Sequence, residues 1–324
     1  MKSFIIHKND ANQRLDKYIA KSLPALPCAL MYRYIRLKRI KVNGKRAEIS
    51  YRLQNGDLVE MYINDEFFVL PEDRFDFLNA PENLDILYED ENIMLLDKDV
   101  GLLSHSDEKE NTDTLISRVK RYLYDKGAYS PAKEASFAPA LVNRIDRNTG
   151  GIVIAAKNAQ ALRMLNEKTR DREIRKMYLC VVAGRLPNDS GLLKGWLKKD
   201  DDNNKVTVYS TEEVDSKAIE TKYKVVAQAG GLSLVEVELL TGRKHQIRAH
   251  FAHIGLPLLG DKKYGKASKS SESAYSKQFL YSYKLCFDFT TDAGCLNYLK
   301  GRCFATKDVW FAVDFPQNIK ARTF

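Results

Sequence analysis

The sequence has little of what marks a secreted, membrane or metal-binding protein. It contains five cysteines in 324 residues, and none of them form a Cys-x-x-Cys pair. An odd number of scattered cysteines favours reduced thiols over a disulfide framework or a zinc site. No apolar run is long enough to cross a bilayer, and the segment that starts at Met1 lacks the pattern of a signal peptide. We therefore expect a cytoplasmic protein that needs neither a membrane nor a metal. The cysteines are Cys28, Cys180, Cys286, Cys295 and Cys303.

Negative charge is scarce at the start of the chain. The first 64 residues hold 13 Lys and Arg against five Asp and Glu, whereas the remaining residues are almost balanced. A concentrated basic face attracts polyanions and binds them by neutralising phosphates. A merely solvated surface is the alternative, but clustering of this strength favours nucleic acid as the partner.

The same 64 residues predict a small helical and β module. One helix starts near Asn12 and a second near Ala29, after two prolines. In the second helix we expect Leu30, Tyr34 and Leu37 to face the core. The other faces then carry the basic residues Arg33, Arg36 and Lys38.

Two turn signals follow. Ile40-Lys41-Val42 leads into Asn43-Gly44, the strongest short hairpin signal, and Asn55-Gly56-Asp57 precedes a strand that begins at Leu58. Residues 65–84 include an acidic, irregular stretch between Pro71 and Pro81, which predicts a linker.

A later stretch, VNRIDRNTGGIVIAAK at 142–157, holds a carboxylate between arginines. Asp146 precedes the turn Asn148-Thr149-Gly150-Gly151, and an apolar β-branched run then predicts a buried strand. A carboxylate on a loop at the end of a strand is either a turn-stabilising group or a working group. Taken alone, this stretch favours the turn-stabilising role.

Further segments reverse that preference. Residues 92–103, 142–157, 175–178, 240–248 and 255–265 contain the motifs of one enzyme family in that family's order. Together they resemble the RluA-type pseudouridine synthases, which carry His-Arg-Leu-Asp, Thr-Ser-Gly, Lys-x-Tyr, Thr-Gly-Arg-Thr-His-Gln-Ile-Arg and Gly-Asp-x-x-Tyr-Gly segments. Each segment alone is weak evidence, whereas four in order are strong.

The N-terminal 64 residues resemble the small RNA-binding module first named for a ribosomal small-subunit protein, and their sequence is most similar to the RluC branch. The resemblance implies an α+β protein with three parts: an RNA-binding module (1–64), a linker (65–84) and a catalytic domain (85–324). We expect this domain to have a mixed, largely antiparallel sheet with flanking helices. Candidate RNA contacts in the module are Arg33, Arg36, Arg39 and Lys41.

The reaction implied by the resemblance is the isomerisation of uridine to pseudouridine, which needs no cofactor. The resemblance assigns the catalytic carboxylate to Asp146, and an aspartate of ordinary pKa is ionised at neutral pH. Tyr178 matches the active-site tyrosine, whose ring can stack on uracil and whose hydroxyl can serve in removing the C5 proton. Arg243 matches the arginine that pairs with the catalytic aspartate. Arg144 matches the arginine that fills the gap left by a flipped nucleotide.

Each of these roles has a simpler alternative. Tyr178 could be core packing, and Arg144 and Arg243 could be phosphate contacts or surface charges. His250 and His253 have helical spacing that could suggest a metal, but no nearby cysteine completes a ligand set.

The sequence departs from the family pattern at four places. Asn143 stands where His is usual, Gly150 where Ser is usual and Lys244 where Thr is usual, and Asp99-Val100 replaces Pro-Ala. We expect activity to survive, because none of these changes touches Asp146, Tyr178 or Arg243. They bear instead on substrate preference.

Three classes of function remain open at this point. We favour a monomeric RNA-uridine isomerase that acts on large-subunit ribosomal RNA, with transfer RNA as the second choice and without an obligatory protein partner. The alternatives are a noncatalytic RNA-binding or ribosome-assembly factor and a metal-dependent RNA hydrolase. The second alternative is disfavoured because the sequence lacks clustered carboxylates.

Overall fold

Two separate β-sheets organise the chain. The computed structural model describes residues 1–69, 71–108, 110–200, 205–265, 275, 277–313 and 315. The helices are α1 (Leu15–Ser22), α2 (Cys28–Arg36), α3 (Leu115–Asp125), α4 (Ala159–Arg170) and α5 (Gln246–His253). The strands are β1 (Lys2–Ile5), β2 (Ile40–Val42), β3 (Lys45–Arg46), β4 (Leu58–Met61), β5 (Ile86–Glu89), β6 (Ile93–Lys98), β7 (Ala140–Leu141), β8 (Gly150–Ala156), β9 (Ile174–Ala183), β10 (Ser190–Asp200), β11 (Lys205–Tyr209), β12 (Lys217–Ala229), β13 (Leu232–Leu239), β14 (Leu280–Phe287) and β15 (Cys303–Ala305). Within these ranges, every helix is too short or too polar to traverse a lipid bilayer.

The N-terminal module contains the first sheet, in which four antiparallel strands run in the order β1-β4-β2-β3. Helices α1 and α2 share one apolar core with this sheet. The predicted hairpin between β2 and β3 is confirmed, since Asn43 and Gly44 have φ angles of 52° and 73°. Both positive angles are what a two-residue type I′ turn requires.

One prediction about α2 is wrong. Its buried positions are Met31, Tyr34 and Ile35, whereas Leu37 is 56% exposed. The helix ends at Arg36 and the chain reverses at Lys38, where φ is 61°, so the helical periodicity does not extend to Leu37.

The stretch predicted as an irregular linker is more ordered than expected. Residues Asp65–Phe68 and Glu72–Asn79 form 3-10 helices. Phe68 is buried in the core of the N-terminal module, and Phe77 is buried in the core beneath the second sheet. Such short tight turns carry no sustained sequence periodicity, which is why the sequence did not reveal them.

Within the described part of the chain, the second sheet has eleven strands. Its main path is β11-β10-β12-β13-β9-β14-β8-β6-β5, while β7 pairs with β8 and β15 with β14. Strands β8 and β14 pair in parallel and the other neighbours antiparallel. The prediction of a mixed, largely antiparallel sheet is therefore confirmed.

The centre of this sheet is buried on both faces. Alternate residues of β6 and β8 contribute to two different apolar clusters. Helix α3 packs on one face and α4 on the other, which explains the continuous apolar runs at Ile93–Leu96 and Ile152–Ala156. The sequence Thr112-Asp113-Thr114 predicts a helix N-cap. This is confirmed for α3, since the Thr114 side chain accepts a hydrogen bond from the backbone N–H of Ser117.

The expectation that every cysteine is reduced is wrong. Cys286 and Cys303 form a disulfide between β14 and β15. The strand register places them directly opposite each other, with Cα atoms 4.1 Å apart. A spacing of 17 residues with no motif gives no hint of this pairing. Cys28, Cys180 and Cys295 are free thiols.

The composition of Lys198 to Lys205, and of the Ser- and Lys-rich stretch Lys266 to Lys277, predicts two mobile segments. The first begins and ends in regular structure. Residues 198–200 complete β10 and Lys205 begins β11, while 201–204 lie outside the described residues. In the second such stretch, Lys266 to Lys277, only Tyr275 and Lys277 are described.

The N-terminal module contacts the large sheet region through residues 9–13. The buried carboxylate of Asp10 accepts hydrogen bonds from the backbone N–H and the hydroxyl of Ser136, at 3.0 and 2.6 Å. Asn9 donates to Glu134 at 2.9 Å and accepts from the backbone N–H of Ala159 at 3.1 Å. These contacts join the module both to the loop before β7 and to α4.

We predict that Asp10→Ala destabilises the protein through this junction. The change removes a buried acceptor and leaves both Ser136 donors without it, which should lower the free energy of unfolding by about 1–3 kcal/mol. The exposed Asp65 provides a matched control, and Asp65→Ala should change that free energy by less than about 0.5 kcal/mol. Equal unfolding free energies of the two variants in urea would show that the junction contributes no stability.

Candidate active site

Asp146 lies on the turn that enters β8. The backbone N–H of Thr149 donates to the carbonyl of Asp146 at 3.0 Å and closes the turn. Gly151 has a φ of 113°, and a side chain there would collide with the backbone of Ser282 on β14. The paired glycines thus let β8 start immediately beside β14, directly after the carboxylate.

Two departures from the family pattern have structural explanations here. Asn143 accepts a hydrogen bond from the N–H of Ile154 at 2.8 Å, which ties the approach to the turn onto β8. A side chain at Gly150 would collide with the ring of Tyr281. The Tyr281 hydroxyl donates to Asp97 at 2.7 Å, so its ring cannot easily move away.

The buried side chain of Lys98 stabilises the turn that follows Asp146. The ammonium of Lys98 donates to the carbonyls of Asp99 and Leu102, both at 2.7 Å, and to that of Arg147 at 3.3 Å. Burial lowers the pKa of Lys98 to about 8, although nearby carboxylates, Asp146 among them, oppose the shift. Its contact with Arg147 fixes the residue that follows Asp146.

Arg248 on α5 is the ion-pair partner of Asp146. One guanidinium nitrogen of Arg248 lies 2.7 Å from a carboxylate oxygen of Asp146. The prediction that Arg243 makes this ion pair is therefore wrong. Arg243 is exposed on the wall of the same cleft, and the described ion pairs of Asp146 do not include it. Three residues before Arg248, the Nε2 atom of His245 lies 3.6 Å from the same oxygen of Asp146.

A second carboxylate holds Arg248 in place. Asp261 accepts two hydrogen bonds from the guanidinium, at 2.7 and 3.0 Å, and its side chain is fully buried. Burial alone would raise the pKa of Asp261, but the hydrogen bonds and charge of Arg248 lower it overall. The backbone N–H groups of Lys263 and Tyr264 also donate to Asp261, so the 261–264 turn and Arg248 fix each other.

Tyr178 is buried in β9 and lines the cleft that contains Asp146. Burial raises the pKa of Tyr178 to about 12, and the charge of Asp146 adds to the effect, while a hydrogen bond with Ser282 opposes it. The phenol is therefore protonated at neutral pH.

The cleft has a volume of about 550 Å³, within the usual range for sites that hold a small group. Six basic residues and one carboxylate, that of Asp146, lie among the described residues of its lining. A cleft with this balance favours an anionic ligand. The basic residues are Arg144, Lys176, Lys199, Arg243, Lys244 and Arg248.

The candidate RNA contacts of the module lie elsewhere. Arg33, Arg36 and Arg39 are exposed and Lys41 is half-buried, and none of the four is among the described residues that line the cleft. The structure therefore brings Arg144, Asp146, Tyr178 and Arg243 together and leaves the four module residues on a separate surface.

The histidines of α5 have partners other than a metal. His250 is buried and its Nδ1 atom lies 3.0 Å from the hydroxyl of Thr221. Within the part of the chain that the structure describes, no three His, Cys, Asp or Glu side chains are grouped as a metal site would require.

Family comparison agrees with this geometry. Residues 92–253, half of the chain, match the model described as RNA pseudouridylate synthase. The chain belongs to this family. Residues 13–59 match the S4 domain, a second model that covers the N-terminal module. The chain is thus an RluA-type RNA pseudouridine synthase with an S4 domain at its N-terminal end.

Curated relatives cover nearly the whole pseudouridine synthase. An uncharacterized RNA pseudouridine synthase of Mycoplasma genitalium is 32% identical over 289 residues, which are 88% of each chain. The ribosomal large subunit pseudouridine synthase C of Haemophilus influenzae is 29% identical over 304 residues, 92% of this chain and 90% of that protein. Human RNA Pseudouridylate Synthase Domain Containing 4 has a similar fold, with a TM-score of 0.56 at 18% identity over 74% of this chain and 92% of its own.

Three residues that shape the site of this synthase have no role predicted from the sequence: His245, Arg248 and Asp261. Arg248 lies in the Gln-Ile-Arg end of the motif that supplied Arg243, and Asp261 lies in the Gly-Asp-x-x-Tyr-Gly segment. His245 and Arg248 are separated by three positions at the start of a helix, which is a signal that two side chains can share a face. That spacing could have identified Arg248 beside Arg243.

We predict that the two arginines of the synthase respond differently to lysine. Arg248→Lys removes the fork that spans Asp146 and Asp261, and the resulting misplacement of the carboxylate should lower turnover by about a hundredfold. Arg243→Lys keeps an exposed charge, and turnover should fall by less than about fivefold, the equivalent of about 1 kcal/mol. Steady-state pseudouridine formation by both purified variants measures this, and a larger loss at Arg243 than at Arg248 would contradict the pairing.

Proposed function

We propose that this synthase isomerises uridines of large-subunit ribosomal RNA, with Asp146 as the catalytic carboxylate. The observation that carries the proposal is the position of Asp146. It is the one carboxylate among the described residues that line a basic cleft, and it forms an ion pair with Arg248. An ionised carboxylate held in a fixed direction can attack or assist at the target nucleotide. The ribosomal target is supported by relatives named ribosomal large subunit pseudouridine synthase C.

Tyr178 supplies the surface on which the base rests. Its ring lines the cleft beside Asp146, and an aromatic face suits stacking on uracil. Because the pKa of Tyr178 is raised to about 12, its hydroxyl holds its own proton at neutral pH. The hydroxyl can therefore accept the C5 proton only as its own proton leaves for another acceptor, such as the solvent or the substrate.

Arg144 and Arg243 bind the RNA around the target nucleotide. Both are exposed on the wall of the cleft, where guanidinium groups meet phosphates or stack in the gap that a flipped base leaves. We assign Arg243 to this contact rather than to Asp146, because Arg248 occupies the position of the partner.

The work is divided along the chain. Residues 1–64 supply the affinity for RNA and the choice of RNA, through Arg33, Arg36, Arg39 and Lys41. Residues 65–84 link this module to the catalytic domain. Residues 85–324 form the catalytic domain and supply the chemistry. The module holds most of the net positive charge, which supports its role in binding RNA. As expected from the sequence, we propose that the enzyme acts as a monomer in the cytoplasm without an obligatory protein partner.

The test is complementation of cells that lack the gene with wild-type protein or with Asp146→Asn. Pseudouridines are then mapped in ribosomal and transfer RNA. We expect wild-type protein to restore modification in large-subunit ribosomal RNA. Asp146→Asn should restore none, because the isosteric amide lacks the negative charge and the nucleophile.

Asp215→Asn is the matched control. Asp215 is exposed and has a φ of 63°, a conformation that asparagine tolerates, so this variant should restore modification fully. Restoration by Asp146→Asn would disprove the catalytic assignment. Restoration only in transfer RNA would disprove the ribosomal target, and an unchanged map in cells that lack the gene would favour a noncatalytic role.

A further inference from the structure

His245 lies beside the proposed catalytic carboxylate in an unusual backbone conformation. Its φ is 54° at the N-cap of α5, a left-handed conformation that costs free energy in a residue with a side chain. Its ring is largely enclosed, with Nε2 3.6 Å from Asp146 and Nδ1 2.8 Å from the hydroxyl of Tyr264. The strained backbone thus aims the two ring nitrogens at two different partners.

The hydroxyl of Tyr264 has a second partner that fixes its role. The backbone N–H of Val206 on β11 donates to this oxygen at 2.9 Å. Since the oxygen already accepts one hydrogen bond, its own proton is available for the Nδ1 atom of His245. The Tyr264 ring also lies edge-on to His245 and beneath the guanidinium of Arg248, so its orientation is held on three sides.

Two considerations select one tautomer of His245. With a proton on Nδ1, the imidazole would present the bare Nε2 lone pair to a carboxylate oxygen 3.6 Å away. The Tyr264 hydroxyl would then accept two hydrogen bonds, and its proton would lose Nδ1 as an acceptor. With the proton on Nε2, both conflicts disappear.

We propose that His245 is a neutral Nε2–H donor, locked in this tautomer by Tyr264, that positions the carboxylate of Asp146. The distance of 3.6 Å exceeds that of a formed hydrogen bond, and catalytic hydrogen bonds often shorten when substrate binds. His245 and Arg248 both approach the same oxygen of Asp146, which leaves the other oxygen for the substrate. This role rests on the function proposed above for Asp146, whereas the tautomer does not.

The surrounding charges agree with a neutral ring. Burial lowers the pKa of His245 well below its usual value. The charge of Asp146 opposes this shift, while those of Arg248, Lys263 and Lys244 reinforce it. At neutral pH the group therefore contributes a dipole with one N–H rather than a second cation beside Arg248.

The first test is the protonation of each ring nitrogen, measured by 15N NMR on the full-length protein labelled at histidine. The His245 signals are assigned by their loss in His245→Gln. We expect a protonated Nε2 and a bare Nδ1 at pH 7, and a partial shift towards the other tautomer in Tyr264→Phe, which lacks the donor to Nδ1. A protonated Nδ1 or an imidazolium in the wild-type protein would overturn the proposal. Because no RNA turnover is needed, this result stands apart from the test of the proposed function.

The second test compares two amides at position 245 by steady-state kinetics. The amide N–H of glutamine can reach the place of Nε2, whereas asparagine is too short but tolerates the left-handed backbone better. We expect His245→Gln to keep kcat within about fivefold of wild type, and His245→Asn to lower it by about tenfold or more, the range for a lost hydrogen bond to a charged group. KM for RNA should change little in either variant. Asparagine that works as well as glutamine would show that position 245 serves only the backbone.

Discussion

The site depends on one guanidinium that is shared by two carboxylates. Arg248 contacts Asp146, which lies 102 residues earlier in the sequence, and Asp261, which lies 13 residues later. The side chain of Arg248 is only 9% exposed. A buried charge that loses its partner costs several kcal/mol, so the positions of the three residues are strongly linked. The turn that carries Asp146, the start of α5 and the 261–264 turn consequently form one unit rather than three independent loops.

The large sheet brings these distant segments together. Strand β14 lies between β8, which follows Asp146, and β9, which carries Tyr178. Helix α5 follows β13, the other neighbour of β9, and so places Arg248 at the same cleft. Among the described residues of the cleft, the result is a single carboxylate surrounded by basic residues, an arrangement that attracts an RNA backbone.

The sequence predicted those features that depend on neighbouring residues. The Asn43-Gly44 turn, the Thr114 cap and the turn-to-strand start after Asp146 all follow from local backbone preferences. Family resemblance supplied Tyr178 and placed Arg243 in the same cleft, but it chose the wrong partner for Asp146. That choice, like the disulfide and the contact of Asp10 with Ser136, depends on which distant segments become neighbours in the fold. No local pattern encodes the disulfide or the Asp10 contact, whereas the spacing of His245 and Arg248 is a local signal for the arginine.

The most direct test of this account is the turnover of Asp261→Asn, because one side chain, that of Arg248, bonds to both Asp261 and Asp146. The isosteric change keeps the shape of the 261–264 turn but removes the negative charge and one of the two oxygens that accept hydrogen bonds from the guanidinium of Arg248. We predict that kcat falls by about tenfold or more while KM for RNA stays within about twofold, in a variant that remains folded by thermal unfolding. A folded Asp261→Asn enzyme with wild-type kcat would contradict the claim that a shared arginine positions the catalytic carboxylate.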